Sequence, residues 1–573
     1  MSDAISLDAP GRGRLLARWR ESSRVGAPTL AGAGLATLSA VLLVISFPDF
    51  NLWPLAWVAL VPLLIAIARR PQSAPAFIYG LLTGTLFFFC SCYWLTYAMV
   101  RYGGLPAPLA YMLLAPGALV VGLFPALFAL LMARLVWRRG SVALLCAPFV
   151  WTALEWARLG LTGQLWNAVG YSQSYHPALI QAARWGGVYA VGFLILTVNA
   201  ALAYAVLERK TRSLALAAAS LLLVSALLWL SLDPGRPRDA PSESSPVAVV
   251  VALQPDVPME PVKSTAEMEA LVSRHLRMSE DALRSWEEGA VEDEGAAAVA
   301  DEEGKRRRAL ARRDVPRVVV WPESPMNFTY ARDTEFREAV GAFAARNRAA
   351  VLFNSLEPAP ANGAYNAAMM VNEEGRVVAQ YDKIRLLPFG EYVPLPRWLP
   401  GVSLIPAMVG DFTPGDEYPL MPLGQARAGV FICFESAFPS IARRFADEGA
   451  DVLINISNDG YLGPTPVMRQ HLANTVFRAV ENGRPVLRVT NTGITARIDE
   501  RGEVSDETKG FVPAVRVWTV GRAARGKTFY TRYGDLFAGA CAALSLLTVG
   551  ASLRKRKGAA SAESVEKISS GED

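Results

Sequence analysis

The sequence predicts a membrane bundle of about eight transmembrane helices carrying an exported α/β layered domain. Three observations lead there. Residues 29–232 are nearly continuous apolar segments, with one more at 534–552; basic residues crowd one side of those segments; and short Val-rich runs alternate with helical patterns over 233–532. A chain of 573 residues is too long for one core. A mean hydropathy of +0.24 beside 19% charged residues fits a chain divided between lipid and water. The formal charge of +5 gives no nucleic-acid signal at this size.

Crossing a bilayer takes about 20 apolar residues. Eight spans are expected, at 29–47, 52–68, 75–99, 108–136, 141–157, 185–207, 213–232 and 534–552. With the N-terminus inside, the inner ends carry Arg12/Arg14/Arg18/Arg20/Arg24, Arg69/Arg70, Arg134/Arg138/Arg139, Arg209/Lys210/Arg212 and Arg554/Lys555/Arg556/Lys557. The outer loops carry only Arg101, Arg158 and Arg184. This is the positive-inside asymmetry. It divides the chain into a basic cytoplasmic tail (1–28), a seven-helix domain (29–232), an exported domain (233–532), a last helix (533–552) and a cytoplasmic tail (553–573). The opening residues are too polar for a secretory signal, so the first span is expected to stay as an anchor. Glu155, beside Trp151 and Trp156, is expected at the membrane interface.

The exported domain opens on a Pro/Ser-rich linker, 233–245. Strands are expected at 247–253, 317–321, 350–354, 366–371, 377–381, 428–432, 452–456 and 486–490, with helices at 266–286, 334–348 and 464–482. Residues 285–314, acidic and then basic, read as a surface insertion. Functional residues of such sheets gather past the carboxyl ends of strands, and Glu323, Lys383 and Cys433 each stand there.

Cys433 lies in "GVFICFES" (429–436), and the other four cysteines, Cys90, Cys92, Cys146 and Cys541, fall in long apolar stretches. An exported domain with one cysteine has no internal disulfide partner, so the thiol is buried or used. Glutamate, lysine and cysteine suffice for acyl transfer. The carboxylate takes the thiol proton, the thiolate attacks a carbonyl, and the ammonium stabilises the thiolate and the oxyanion. The three histidines, His176, His275 and His471, form no ligand pattern with the cysteines, so no metal is expected. His471 shares a helical stretch with Ala473, Phe477 and Val480 and reads as a core residue.

"WPESP" (321–325), "YDKIRLLPFGEYVP" (381–394) and "ICFES" (432–436) resemble the catalytic blocks of the nitrilase superfamily of carbon–nitrogen hydrolases. "PFGEYVP", joined to a multi-span N-terminal region and one terminal span, resembles the apolipoprotein N-acyltransferase family within it. "LWNAVGYSQ" (165–173), "SNDGYLG" (457–463) and "ENGRPVLRVTNTGITARID" (481–499) are similar to further blocks of that family. The resemblance covers about residues 30–552 without the charged insertion, and implies an αββα sandwich for the exported domain. It makes Glu323 the general base, Lys383 the oxyanion-stabilising residue and Cys433 the nucleophile, with Glu391, Glu435 and Asn366 in support. Two positions depart from the family pattern: Phe434 where tyrosine is common, and Tyr461-Leu462 where "WF" is common.

The resemblance further implies a ping-pong reaction without a cofactor. The acyl donor is a phospholipid such as phosphatidylethanolamine, and the acceptor is the α-amino group of an S-diacylglyceryl apolipoprotein. The setting is the lipid bilayer of a bacterial inner membrane, with the catalytic domain in the periplasm. One rival is a membrane-tethered hydrolase with water as acceptor; another is a non-catalytic binding or transport protein. Against the first stands 394–409, "PLPRWLPGVSLIPAMV", too Pro-rich for a helix and too apolar for an ordinary loop. It is expected to form a membrane-facing flap, with Trp398, Leu404, Ile405 and Met408, and Phe389 before it, as substrate-access residues.

Overall fold

The computed structural model describes residues 26–48, 50–231, 247–259, 264–288, 315–323, 328–393, 410–523 and 526–553. The flap residues Trp398, Leu404, Ile405 and Met408, most of the charged insertion and both tails lie outside them.

The N-terminal part is helical: α1 (Leu30–Ser46), α2 (Val61–Arg69), α3 (Ser73–Ser91), α4 (Leu95–Arg101), α5 (Ala107–Arg139), α6 (Ala147–Thr162), α7 (Ala183–Glu208) and α8 (Thr211–Ser231). Five helices among the described residues are long and apolar enough to cross a membrane: α3, α5, α6 with the turn before it, α7, and the C-terminal Leu536–Leu553. Three shorter apolar helices occupy the other expected spans. The segment expected over 52–68 is a 3-10 turn, Trp53–Trp57, followed by the nine-residue α2. It nevertheless returns the chain to its starting side, because Arg70 Nη1 lies 3.5 Å from the Ala27 carbonyl oxygen.

The span expected over 75–99 is interrupted. The Ser91 carbonyl accepts from Trp94 Nε1 (3.1 Å) and from Gln470 Nε2 (3.0 Å). The helix stops there and restarts as α4. Glu155, beside Trp151 and Trp156, is buried within the protein and accepts from the Val169 amide at 2.9 Å. The neighbouring Arg158, also buried, donates to the Trp166 carbonyl at 2.8 Å. The pair therefore fixes both ends of the 166–169 loop. Close helix contact elsewhere rests on small residues. A Cβ on Gly80 of α3 would stand 2.3 Å from the Pro125 carbonyl of α5.

The remaining residues form two six-stranded sheets. The first has order β12-β1-β2-β3-β4-β5, built from β1 (Ala248–Gln254), β2 (Arg317–Val320), β3 (Ala349–Ala359), β4 (Gly363–Val371), β5 (Val377–Asp382) and β12 (Ala514–Val520). The second, β11-β10-β9-β8-β7-β6, contains β6 (Leu420–Leu423), β7 (Ala426–Ile432), β8 (Val452–Ser457), β9 (Val486–Thr490), β10 (Ala496–Ile498) and β11 (Val504–Ser505). β1–β3 and β7–β9 are parallel within their sheets.

Alternation explains the layering. Val250, Ala252, Val320 and Leu352 meet Val430, Ile432 and Ile454 of the other sheet in one core. Val251, Leu253, Val319 and Phe353 face Leu283 of α9 (Thr265–Glu287) and Phe336, Val340 and Phe343 of α10 (Thr334–Asn347) in another. With both faces covered, the strands read as unbroken apolar runs. Helices α11 (Pro439–Asp447) and α12 (Val467–Asn482) cover the second sheet, giving the αββα order, and α13 (Leu536–Leu553) ends the described chain.

α12 also joins the sandwich to the helical part. At Gly186 and Gly187 the ladder of α7 breaks, Gly187 at φ 65°, and a Cβ there would stand 2.8 Å from the Tyr530 ring. The broken end at Val188 N–H is received by Glu481 of α12, 2.9 Å away. Arg478 holds the same carboxylate (2.9 Å) and the Tyr171 hydroxyl (3.1 Å), and all these side chains are buried. Burial pushes the Glu481 carboxyl up to about 7 despite Arg478. The basic ends lie elsewhere. Arg134 Nη2 is 3.5 Å from the Ser552 carbonyl, and Ser141 donates to Glu208.

An Arg478→Met variant leaves Glu481 unpaired in this joint. It is expected to lose about 3–5 kcal/mol of stability, read as a lowered thermal midpoint of the detergent-solubilised protein; an unchanged midpoint would contradict the joint's role.

Candidate active site

The three candidate residues follow the ends of β2, β5 and β7, and the sandwich brings these ends together around one cavity. The cavity measures about 860 Å³ including its open mouth, and its lining includes Glu323, Asn366, Lys383, Glu391 and Cys433. Lys383 is 1% exposed and sits between two carboxylates: Nζ is 2.8 Å from Glu391 Oε1 and 3.3 Å from Glu323 Oε1. Asn366 Nδ2 donates to the same two oxygens, at 2.7 and 3.1 Å, while its own oxygen accepts from Asn354 at 2.7 Å. Burial alone would favour the neutral amine. Glu323 and Glu391 outweigh it and hold Lys383 above the usual lysine range, as a fixed ammonium. Glu391 is itself fastened by the Leu387 amide at 2.8 Å.

Cys433 begins a one-turn 3-10 helix, Cys433–Ala437, with φ at 53°. A non-glycine residue held there costs about 1–3 kcal/mol and persists only when its surroundings over-determine it. Burial pushes the thiol above its ordinary range, Glu323 adds to the rise, and Lys383 pulls against both. The net direction favours the thiol over the thiolate, in keeping with the expectation that a carboxylate takes the proton before attack.

Glu435 supplies much of the constraint. Fully buried, its carboxylate accepts from the Ile432 amide (2.8 Å), the Ile384 and Arg385 amides (2.8 and 3.0 Å) and the Tyr381 hydroxyl (2.8 and 2.9 Å). One side chain thus ties the residue before Cys433 to the two residues after Lys383. Burial raises its pKa against those donors.

Several lining residues are not among the site residues expected from the sequence, although Trp166 and Tyr461 lie in the family-like blocks 165–173 and 457–463. Trp94 and Trp166 come from the helical part; both indole N–H groups donate to Gln470 Oε1, at 3.1 and 2.9 Å. Trp166 stacks on Phe434 at 5.8 Å, with 18° between the planes. Tyr461 lines the cavity and meets Tyr102 edge-on at 5.7 Å. His471, expected in the core, also faces the site. The reason is that α12 is buried on almost every side, so no outer face exists to mark an inner one. Phe389, expected at the substrate entrance, is exposed at φ 61° and outside the lining; Leu387 and Phe412 stand in it instead. Among the described residues no cluster of His, Cys, Asp and Glu is arranged to hold a metal ion.

Comparison with known proteins accords with this arrangement. Residues 39–201 match the model of the apolipoprotein N-acyltransferase N-terminal domain, and residues 250–521 match the carbon–nitrogen hydrolase model. The apolipoprotein N-acyltransferase of Geobacter metallireducens is 34% identical over 532 residues, covering 91% of this chain and 95% of that one. The chain belongs to the apolipoprotein N-acyltransferase family. The member from Chlorobaculum tepidum is 30% identical over 548 residues, with 91% and 97% of the two chains covered. Among solved structures, a mutant nitrilase-superfamily amidase from Nesterenkonia AN1 is 17% identical, covers 52% of this chain and 98% of its own, and has a TM-score of 0.34. The family's two parts correspond to the helical part and the sandwich, and the cavity draws its lining from both.

Replacing Glu435 by alanine removes the acceptor of the buried Ile432 amide, of the Tyr381 hydroxyl and of two partly buried amides, at about 1–3 kcal/mol for each group left buried without a partner. The variant is expected to lose stability and at least about 100-fold in acyl transfer, since the lysine-bearing segment is no longer registered to the cysteine. Glu435→Gln, which keeps a carbonyl acceptor, is expected to be milder on both counts. Thermal midpoints and initial rates, measured together, check this.

Proposed function

We propose that the chain transfers an acyl chain from a phospholipid, through a thioester on Cys433, to the α-amino group of an S-diacylglyceryl apolipoprotein. The observation that carries this reading is the buried Lys383 ammonium between Glu323 and Glu391, in the cavity that Cys433 lines. Glu323 takes the Sγ proton as sulfur attacks the ester carbonyl. Lys383 stabilises the oxyanion, helped by the low local dielectric. Collapse releases the lysophospholipid, whose oxygen recovers the proton from Glu323. In the second half the acceptor amine attacks the thioester, gives a proton to Glu323, and the cysteine leaves as thiolate and is reprotonated. Glu391, Asn366 and Glu435 hold the lysine and the cysteine in register. No cofactor enters the scheme, and phosphatidylethanolamine is the donor assigned.

The hydrolase reading uses the same residues with water as acceptor. The Trp94/Trp166 wall favours acyl transfer, because the cavity borrows it from the part of the chain suited to lipid. The bilayer arrangement proposed is eight crossings in a bacterial inner membrane, N-terminus inside and sandwich in the periplasm. Two features support it: Arg70 beside Ala27 and Arg134 beside Ser552 join basic ends, whereas Ser91, Trp94, Trp166 and Val188 meet the sandwich. Positive ends remain with the cytoplasm.

Incubation with labelled phospholipid is expected to leave an acyl adduct on the Cys433 peptide, detected by mass spectrometry. Cys433→Ala should form none, and Cys433→Ser almost none, because an alcohol's pKa is too high for the same base. Glu323→Gln should fail to acylate, and Lys383→Ala should lose on the order of 10²–10³ in rate. Substantial turnover by the alanine variant at 433 would sink the mechanism. Release of free fatty acid as the main product, with a diacylglyceryl-cysteine peptide present, would favour the hydrolase.

A further inference from the structure

The nucleophile's backbone is gripped on both sides. On its N-terminal side the Ile432 amide is held by Glu435. On its C-terminal side the Cys433 carbonyl oxygen lies 3.0 Å from His471 Nε2, with Asn455 Nδ2 more distant at 3.5 Å. A carbonyl oxygen only accepts, so this contact is a hydrogen bond in the form of the ring that carries a proton on Nε2. The other ring nitrogen faces Asp459 Oδ1 at 2.7 Å, with Arg488 Nη2 at 3.1 Å, and Arg488 Nη2 also holds Asp459 Oδ2 at 2.9 Å. All three side chains are buried. Asp459 keeps its charge there: burial would raise its pKa, but Arg488 and His471 carry it down to about 2. The imidazole therefore cannot turn without leaving buried groups unmatched.

We infer that His471 is a positioning residue for the nucleophile: its Nε2–H fixes the Cys433 carbonyl, and so holds the cysteine in the left-handed conformation that presents the thiol to the cavity. The inference rests on Cys433 being the nucleophile. It assigns His471 no contact with substrate and no proton transfer. The preceding residue on α12, Gln470, binds Trp94 and Trp166, so neighbouring residues of one helix register the membrane-side wall and the thiol.

The test compares two amides on the purified full chain. His471→Gln places its amide near the Nε2 position and keeps a donor for the carbonyl. His471→Asn places it near Nδ1, within reach of Asp459 but short of the carbonyl. The rate of Cys433 alkylation by iodoacetamide, followed on the Cys433 peptide, reports thiol presentation without any lipid substrate. The expected result is near wild-type alkylation in the glutamine variant and at least a tenfold loss in the asparagine variant. The same ratio should appear in kcat for acyl transfer, with the phospholipid KM unchanged. Equal rates in the two variants would overturn the assignment. So would a glutamine variant that fails to fold, because the ring would then be serving the core and not the carbonyl. Failure of the underlying reading looks different: the wild-type Cys433 peptide itself would resist alkylation and acylation.

Discussion

A lysine ammonium with almost no access to water is tolerable only if its charge is answered, and much of the site follows from answering Lys383. Two carboxylates converge on it, Asn366 binds both, and the Leu387 amide fastens one of them. The surplus negative charge then discourages a resting thiolate at Cys433. The carboxylate that raises the thiol's pKa, Glu323, is the one proposed above to accept its proton. Under that proposal, reactivity is held back until a substrate carbonyl supplies somewhere for the charge to go.

The helical part does more than hold the sandwich near lipid. It gives up regular helix at two points to meet α12. Ser91 ends α3 because its carbonyl is shared by Trp94 and Gln470, and the broken ladder of α7 at Val188 is completed by Glu481. Each break exposes backbone polarity that the other part satisfies. Buried polar groups without partners are costly, so the two parts are held in one relative position by hydrogen bonding as well as by apolar contact.

The parallel strands were legible because burial on both faces writes them as plain Val-rich runs, and the candidate site was legible because the three residues proposed for it stand just past such runs and line one cavity. β6, β10, β11 and β12 were not. β11 has two residues and β10 three, and β12, "AVRVWTV", alternates polar and apolar at an edge. Periodicity tells little where burial is complete. His471 is buried, as its apolar neighbours implied, but α12 has no solvent face to show that the residue also lines the cavity, and the partner of Glu155, the Val169 amide, lies in a loop. The break after Ser91 had no warning in the apolar run, since one of the two groups that take its carbonyl is a glutamine hundreds of positions later. Local pattern reports what a residue is next to in the chain, and these residues are defined by what they are next to in space.

Gln470 has a consequence for how the protein is made. Ribosomes deliver the chain in order, so Trp94 and Trp166 emerge before any of Glu323, Lys383 or Cys433. Domains generally fold as units during synthesis, the N-terminal one first. The wall of the cavity thus precedes the cavity. When α12 emerges, Gln470 meets two waiting indoles and the Ser91 carbonyl, and the sandwich is completed against a surface already in place. A sandwich made without the helices would leave Gln470 without these partners and the cavity open on the side that Trp94 and Trp166 close.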